Sequence, residues 1–291
     1  MFKLAAITDE VSQDFAHALD VCKEYGCEGA EVRSVWDIPV GKLTDQHLRD
    51  MQKMLDDRGM RVCCVASPFL KCELGDAQAY REHLELLRRC IDIGHQFGAN
   101  LIRGFAFWKK GPLEPVWQQI LDAFPQPLEI LREMDAVLGI ENEASCYLGT
   151  GSEVGRFLKH FDDPHLAAVW DPANQVFANP DEPPYPTGYE AVRGRMAHCH
   201  VKDARWNKAE GKAACTPIGE GDIDYPGQIR ALLRDGYQGY LSLETHWRPE
   251  GLTEEQLSRP GGTAFSSTGE YGSRICLENL TRIINEARAN A

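Results

Sequence analysis

No apolar run in this chain approaches the ~20 residues that a membrane-spanning helix needs. Ten cysteines are present, yet no two have C-x-x-C or zinc-ribbon spacing. The first absence excludes a helical membrane anchor. The second excludes a cysteine-based metal knuckle and leaves reduced, mostly packed thiols; Cys63 and Cys64 adjoin in an apolar run, where neighbouring side chains point apart and do not pair. A glycine-rich phosphate turn after an early strand is missing too, since Gly149-Thr150-Gly151 has the wrong spacing and comes after the fifth predicted strand. Cationic residues are scarce: 31 Lys and Arg stand against 44 Asp and Glu, a net charge of −13. Such a surface repels polyanions, which argues against nucleic acid and anionic membranes as partners. The apolar start turns acidic at Asp9-Glu10, too early for a secretory h-region, so a cytoplasmic location is expected.

What the chain does contain is one pattern repeated. A short apolar, β-rich run is followed by a polar turn and then a helical stretch. Strands are predicted at 4–7, 29–33, 61–66, 100–105, 139–143, 166–171, 197–202 and 240–244. Helical segments are predicted at 12–24, 44–58, 76–97, 115–138 (interrupted near Pro125 and Pro127), 152–161, 189–192, 225–234 and 273–289. Eight βα repeats without hairpin dipeptides between them imply parallel strands with right-handed crossovers, and eight can close. The 291 residues suit a single α/β domain of the (β/α)8 TIM-barrel type, which typically needs ~250. A Gly-, Ser-, Thr- and Pro-rich loop at 248–272 is too long for a simple connection and is expected to act as a lid or a subunit contact, the latter in a homo-oligomer.

In such a barrel the chemistry sits at the C-terminal ends of the strands. Charged residues that close or interrupt apolar runs are therefore the informative ones. Glu141 follows Gly139-Ile140, Asp171 follows Val169-Trp170, His200 lies in the seventh strand, and Glu244 follows Leu241-Ser242-Leu243. Any one carboxylate is equally readable as a helix cap or a surface charge. Together, at the ends of four consecutive strands, they form a mixed oxygen and nitrogen set that suits Mn²⁺, Mg²⁺, Co²⁺ or Zn²⁺. Without a cation, carboxylates at such close range repel one another and take up protons.

The strings Ile140-Glu141-Asn142, Trp170-Asp171-Pro172-Ala173-Asn174, His198-Cys199-His200-Val201-Lys202-Asp203, Gly219-Glu220-Gly221-Asp222 and Tyr240-Leu241-Ser242-Leu243-Glu244 resemble successive motifs of one family. It is the xylose isomerase-like TIM-barrel superfamily, in its sugar phosphate isomerase and epimerase branch. Thr8-Asp9-Glu10-Val11-Ser12-Gln13-Asp14 and Gly29-Ala30-Glu31-Val32-Arg33 are similar as well, so the resemblance covers nearly the whole chain. It implies that Glu141, Asp171, His200 and Glu244 ligate one divalent cation, commonly manganese, and that Glu141 and Glu244 are also the catalytic acid and base. The implied reaction is isomerisation or epimerisation of a ketose or keto-sugar through an enediolate that the cation stabilises. A lyase or dehydratase acting on a keto-sugar, keto-glycoside or keto-inositol starts with the same proton abstraction and is the alternative. An apurinic endonuclease of the same superfamily needs more histidines and a basic DNA face, which the acidic balance opposes.

Strand parity adds further candidates. Glu143, Lys202 and His246 each lie two residues beyond a ligand and share its face, one step nearer the mouth. They are candidates for substrate contacts or, alternatively, solvated rim residues. His198 lies two residues before His200 and is expected to support it from below. Arg103 and Glu31 are expected to point inward, towards substrate or into a buried ion pair. Phe107, with Phe105 and Trp108, is expected at the rim of a carbohydrate site. Asn174 stands where related epimerases often carry a substrate-binding histidine, a departure that weakens close identity with free-ketose epimerases. With no dense basic cradle at the mouth, an unphosphorylated sugar or an oxidised glycoside is favoured over a sugar phosphate.

Overall fold

The computed structural model describes residues 1–253, 256, and 261–289. Eight parallel strands close into one barrel. They are β1 Lys3–Ile7, β2 Gly29–Val32, β3 Arg61–Phe69, β4 Leu101–Gly104, β5 Val137–Glu141, β6 Leu166–Trp170, β7 Met196–Val201 and β8 Tyr240–Leu243. Each strand pairs with its sequence neighbour, and β1 pairs with β8 (Lys3 opposite Tyr240) to close the ring. Strands such as β6, buried at all five residues, reflect a parallel sheet covered on both faces. Among the described residues no helix is long and apolar enough to cross a membrane.

Helix starts follow local chemistry. Asp14, Asp76 and Asp224 accept backbone N–H bonds at the N-termini of Phe15–Glu24, Ala77–Gln96 and Tyr225–Arg234, and Thr44 caps Asp45–Asp56. Thr150 and Glu153 form a reciprocal capping box on Gly151–Phe161. Replacing Thr150 with Ala is expected to cost about 1 kcal/mol, read as a fall in melting temperature of roughly 2–4 °C, with unaltered metal binding.

Several boundaries differ from the sequence reading. The stretch 115–138 divides into Trp117–Asp122 and Pro125–Glu133 before β5 begins at Val137. Pro125 opens the second helix, at a position whose N–H has no intrahelical partner anyway. β3 does not stop at Ala66 but runs through Pro68 to Phe69, because Pro68 is exposed at a register irregularity where no ladder donor is required. Two antiparallel ribbons were not anticipated: Ser34–Val35 with Ile38–Pro39, and Asp203–Asn207 with Lys212–Thr216. A further helix, Pro172–Ala178, follows β6, and the last helix begins at Gly269.

The long loop falls partly outside the described residues, at 254–255 and 257–260, so its expected role as a lid or subunit contact is not settled there. Its described end forms the short helix Thr263–Ser266. There Phe265 is buried between the Arg33 and Arg248 guanidiniums, 5.0 and 5.2 Å from its ring centroid. Ser266 Oγ donates to the Asp9 carbonyl at 2.7 Å.

Candidate metal centre

The alternation of residues 198–202 places three side chains on the inner face of β7 and its C-terminal end, and the structure stacks them in order of depth. His198 is lowest: its Nε2 lies 2.9 Å from Glu31 Oε2. Glu31, on β2, is fully buried and also accepts from Ser242 Oγ at 2.7 Å. His200 lies above, with Nε2 3.1 Å from Glu31 Oε1 and Nδ1 3.1 Å from Glu141 Oε1 and 3.5 Å from Glu244 Oε2. With Nε2–H donated to Glu31, Nδ1 is the atom directed at the carboxylates. A lone pair facing two carboxylates is tolerable only with a proton or a cation between them. Burial pushes the His200 imidazole pKa down, but Glu31, Glu141 and Glu244 outweigh it and raise it well above the usual value.

Glu141, Asp171, His200 and Glu244, all buried, bring one ligand atom each to within 4.8 Å of one another. Glu141 ends β5. Asp171 lies just past β6 and combines two of the roles weighed from sequence. Its Oδ1 caps the helix Pro172–Ala178 by accepting from Ala173 and Asn174 N–H at 2.8 and 3.0 Å, while Oδ2 is left for the centre. Asn142 fixes this geometry from β5, donating to the Asp171 carbonyl at 2.7 Å and accepting its N–H at 2.9 Å. Glu141 Oε2 and Asp171 Oδ2 are buried and are met only by ion pairs, from Arg103 at 3.3 Å and Lys202 at 2.8 Å. Burial lifts the Asp171 carboxyl to about 6 against the pull of Lys202, with Glu244 and Glu141 pushing the same way.

The surrounding charges also fit a divalent cation. The carboxylates of Asp9, Glu10, Glu31, Glu141, Glu143, Asp171 and Glu244 face the cations Arg33, Lys71, Arg103, Lys202 and Arg248. With His200 protonated the excess is one negative charge; a cation on Nδ1 would displace that proton and face an excess of two. Three carboxylates and an imidazole are a donor set for such an ion. Two other groupings are less apt. Glu10, Glu244 and His246 converge, but Arg33 already occupies their midst, 2.8 Å from Glu10 and 3.3 Å from Glu244. Glu31, His198 and His200 also converge, but there the Glu31 carboxylate is already taken up by both imidazoles and Ser242.

The other sequence candidates distribute as follows. Lys202 Nζ lies 2.8 Å from Asp171 Oδ2 and 2.9 Å from Glu244 Oε2. Burial lowers its pKa, yet these two carboxylates raise it well above the usual value, so the ammonium stays charged. Arg103 Nη1 spans Glu141 (3.3 Å) and Glu244 (3.5 Å), so it faces the centre as an ion-pair partner of both glutamates. Asn174 Nδ2 donates to Glu141 Oε1 at 3.1 Å. His246 lies 3.3 Å from Glu10 and 3.8 Å from Glu244. Glu143 pairs with Lys71 at 2.9 Å; burial pushes its pKa up, but Lys71 and Lys202 bring it down to about 2.

Glu141, Glu143, Asn174, Lys202, Glu244, His246 and Arg103 line one cavity of about 320 Å³ at the mouth. Phe107 does not join them. β4 ends at Gly104 and Phe107, at a left-handed φ of +60°, is buried in the core beneath a separate groove lined also by Tyr80 and Gln119. Phe105 and Trp108 line the mouth instead, with Lys71 Nζ 4.3 and 5.4 Å from their rings. Lys71 lies beyond the strand predicted at 61–66, and only the extension of β3 to Phe69 brings it to the mouth. Asp203, on the opposite face, anchors the loop: Oδ2 accepts from Gly219 and Gly221 N–H at 2.8 and 3.1 Å. A side chain at Gly221 would collide with that carboxylate.

The profile of the family described as Xylose isomerase-like TIM barrel matches residues 19–261. An inosose dehydratase of Bacillus velezensis is 27% identical over 145 residues, 44% of this chain and 48% of the relative. The chain thus spans about half the length of that curated relative. Among solved structures, a protein named IOLI with a bound zinc atom superposes with a TM-score of 0.74 at 14% identity, covering 98% of this chain and 99% of the other. An L-ribulose 3-epimerase superposes with a TM-score of 0.71 at 16% identity, covering 100% and 97%.

Proposed function

The chain belongs to the xylose isomerase-like TIM-barrel family, and from that premise we propose that it is a metal-dependent isomerase or epimerase of a keto-sugar. The observation that carries this reading is the placement of Glu141 and Glu244, on β5 and at the end of β8. Both stand against His200 Nδ1, and Arg103 Nη1 bridges them. Glu141, Asp171, His200 through Nδ1, and Glu244 would hold the cation. When bound, a divalent cation supplies Lewis-acid stabilisation of the oxyanion that develops when a proton leaves the carbon next to a carbonyl. Manganese suits an oxygen-rich set with one imidazole.

The remaining steps fall to side chains. One glutamate takes the proton from carbon on one face, and the other returns a proton to the opposite face in epimerisation or to the neighbouring carbon in isomerisation, where the hydroxyl proton also passes to the former carbonyl oxygen, so no atom is lost. Arg103, touching both carboxylates, holds them apart and in register. Phe105 and Trp108 give apolar surface to the sugar ring, and Glu143, held by Lys71, accepts from its hydroxyls.

A second reading, a dehydratase of a keto-sugar or keto-inositol, has its own support. The Lys202 ammonium is a cationic acid beside Glu244, and the curated relative is an inosose dehydratase. In that case one carboxylate removes the proton and Lys202 protonates the departing hydroxyl, releasing water.

The test is to strip the protein with a chelator, reload it with Mn²⁺, Mg²⁺, Co²⁺ or Zn²⁺, and offer keto-sugars and keto-inositols in D2O. The expected result is deuterium incorporation next to the carbonyl that disappears on chelation and returns with metal. Unchanged substrate mass apart from deuterium identifies isomerisation or epimerisation, and loss of one water identifies the dehydratase. No exchange with any loaded metal would sink both.

A further inference from the structure

Beside the metal-facing cavity lies a second chamber of about 540 Å³, bordered by Arg33, Ser34, Asp37, Pro39, Pro68 and Gly262. The two share a wall made of Lys71, Arg103 and Trp108. The first cavity, about 320 Å³, is at the lower end of the ~300–1,000 Å³ range of ligand sites and has room for one sugar ring. A free monosaccharide would leave the larger chamber unused.

The chamber's polar groups are already spent. Arg33 binds Asp9, Glu10 and Glu244, Arg103 binds Glu141 and Glu244, and Lys71 binds Glu143. Ser34 Oγ donates to Asp9, and Asp37 Oδ2 accepts from Thr263 Oγ1 at 2.6 Å. No cation is left over to meet a phosphate or a carboxylate. What the chamber offers is the rings of Pro39 and Pro68, both exposed, and the half-buried Trp108 indole. Such surfaces stack against flat or ring-shaped uncharged groups.

We propose that the second chamber holds an uncharged ring joined to the reacting sugar through its glycosidic oxygen, so that the substrate is a keto-glycoside with an aryl aglycone rather than a free ketose or a sugar phosphate. The identity of the reacting sugar rests on the reading above, whereas the chamber's preference does not. Trp108, common to both linings, stands between the sugar and the aglycone.

Calorimetric binding of unreactive probes to the manganese-loaded protein tests this directly. Phenyl β-glucoside is expected to bind about tenfold more tightly than methyl β-glucoside, the gain of one stacked ring. Glucose 6-phosphate is expected to gain nothing over methyl β-glucoside. Filling the chamber from its exposed walls, by Pro68→Trp or separately by Pro39→Trp, is expected to abolish the phenyl-to-methyl ratio, and Pro68→Ala, which removes one stacking ring, to lower it without abolishing it. Equal binding of phenyl and methyl glucosides, a phosphate preference, or a ratio untouched by both tryptophan variants overturns the proposal. If no keto-sugar exchanges a proton but the phenyl preference is present and sensitive to filling, the reaction fails and the chamber stands. If exchange occurs while the preference is absent, the chamber fails alone.

Discussion

Replacing Glu141 with Gln is expected to lower turnover by about 10²–10⁴-fold, the contribution of a positioned general acid or base. The amide keeps the shape of the side chain and its contact with Asn174 Nδ2, 3.1 Å away through Oε1, but it cannot accept a proton from carbon. Because Glu141 is also a proposed ligand, the variant is best compared at saturating metal, so that weakened binding and lost proton transfer are separated. The informative readout is solvent deuterium entering the product. Exchange at the parental rate would remove Glu141 from the chemistry. The matching change at Glu244 disturbs more, since that carboxylate also meets Lys202, Arg33 and Arg103 at 2.9, 3.3 and 3.5 Å. Burial pushes the Glu244 pKa up, but Lys202 and His200 hold it well below the usual range. It is therefore the better anchor of charge, and Glu141 is the cleaner probe of proton transfer.

The second large effect is expected at a residue that touches neither substrate nor metal. Glu31→Gln should weaken metal affinity about 10–100-fold, the usual consequence of losing the hydrogen-bond partner of a ligating histidine. Glu31 is buried on β2 and receives His198, His200 and Ser242 at 2.9, 3.1 and 2.7 Å. In the proposed centre it holds the His200 proton on Nε2 and leaves Nδ1 for the cation. An amide cannot accept from all three donors, and with its –NH2 turned to His200 it reverses the tautomer. The expected signature is a raised metal requirement with turnover recovering at high metal, which a purely structural loss would not give. Ser242→Ala, which removes one donor and leaves the carboxylate, should have a smaller effect. Unaltered metal affinity in Glu31→Gln would reduce Glu31 to a packing residue.

Much of this site is legible along the chain because a strand alternates faces every residue. That rule groups His198, His200 and Lys202 before any fold is known, and it draws attention to Glu141 and Glu244 as charged ends of apolar runs. It fails once the backbone leaves the strand. Phe107 obeys the alternation in sequence, yet with its left-handed backbone it borders a separate groove and not the metal-facing cavity. Pro68 reads as a stop, although an exposed position at a register irregularity lets the strand continue and bring Lys71 to the mouth. Asn142 looks like a neighbour of Glu141, whereas its amide locks the backbone of Asp171 on the next strand.

By itself, then, the sequence determined the eightfold βα repeat, the polar face of the seventh strand and the oxygen-rich donor set, because each depends on local periodicity or on residue chemistry. The tertiary structure alone decided which groups meet across the barrel. Glu31 and His200 are 169 residues apart and adjoin only when the ring closes. The walls of the second chamber likewise come from residues 33–39, 66–71, 103–108 and 261–262, brought together by barrel closure. Contacts of that kind depend on strand tilt and loop path, and no periodicity within a single strand encodes either.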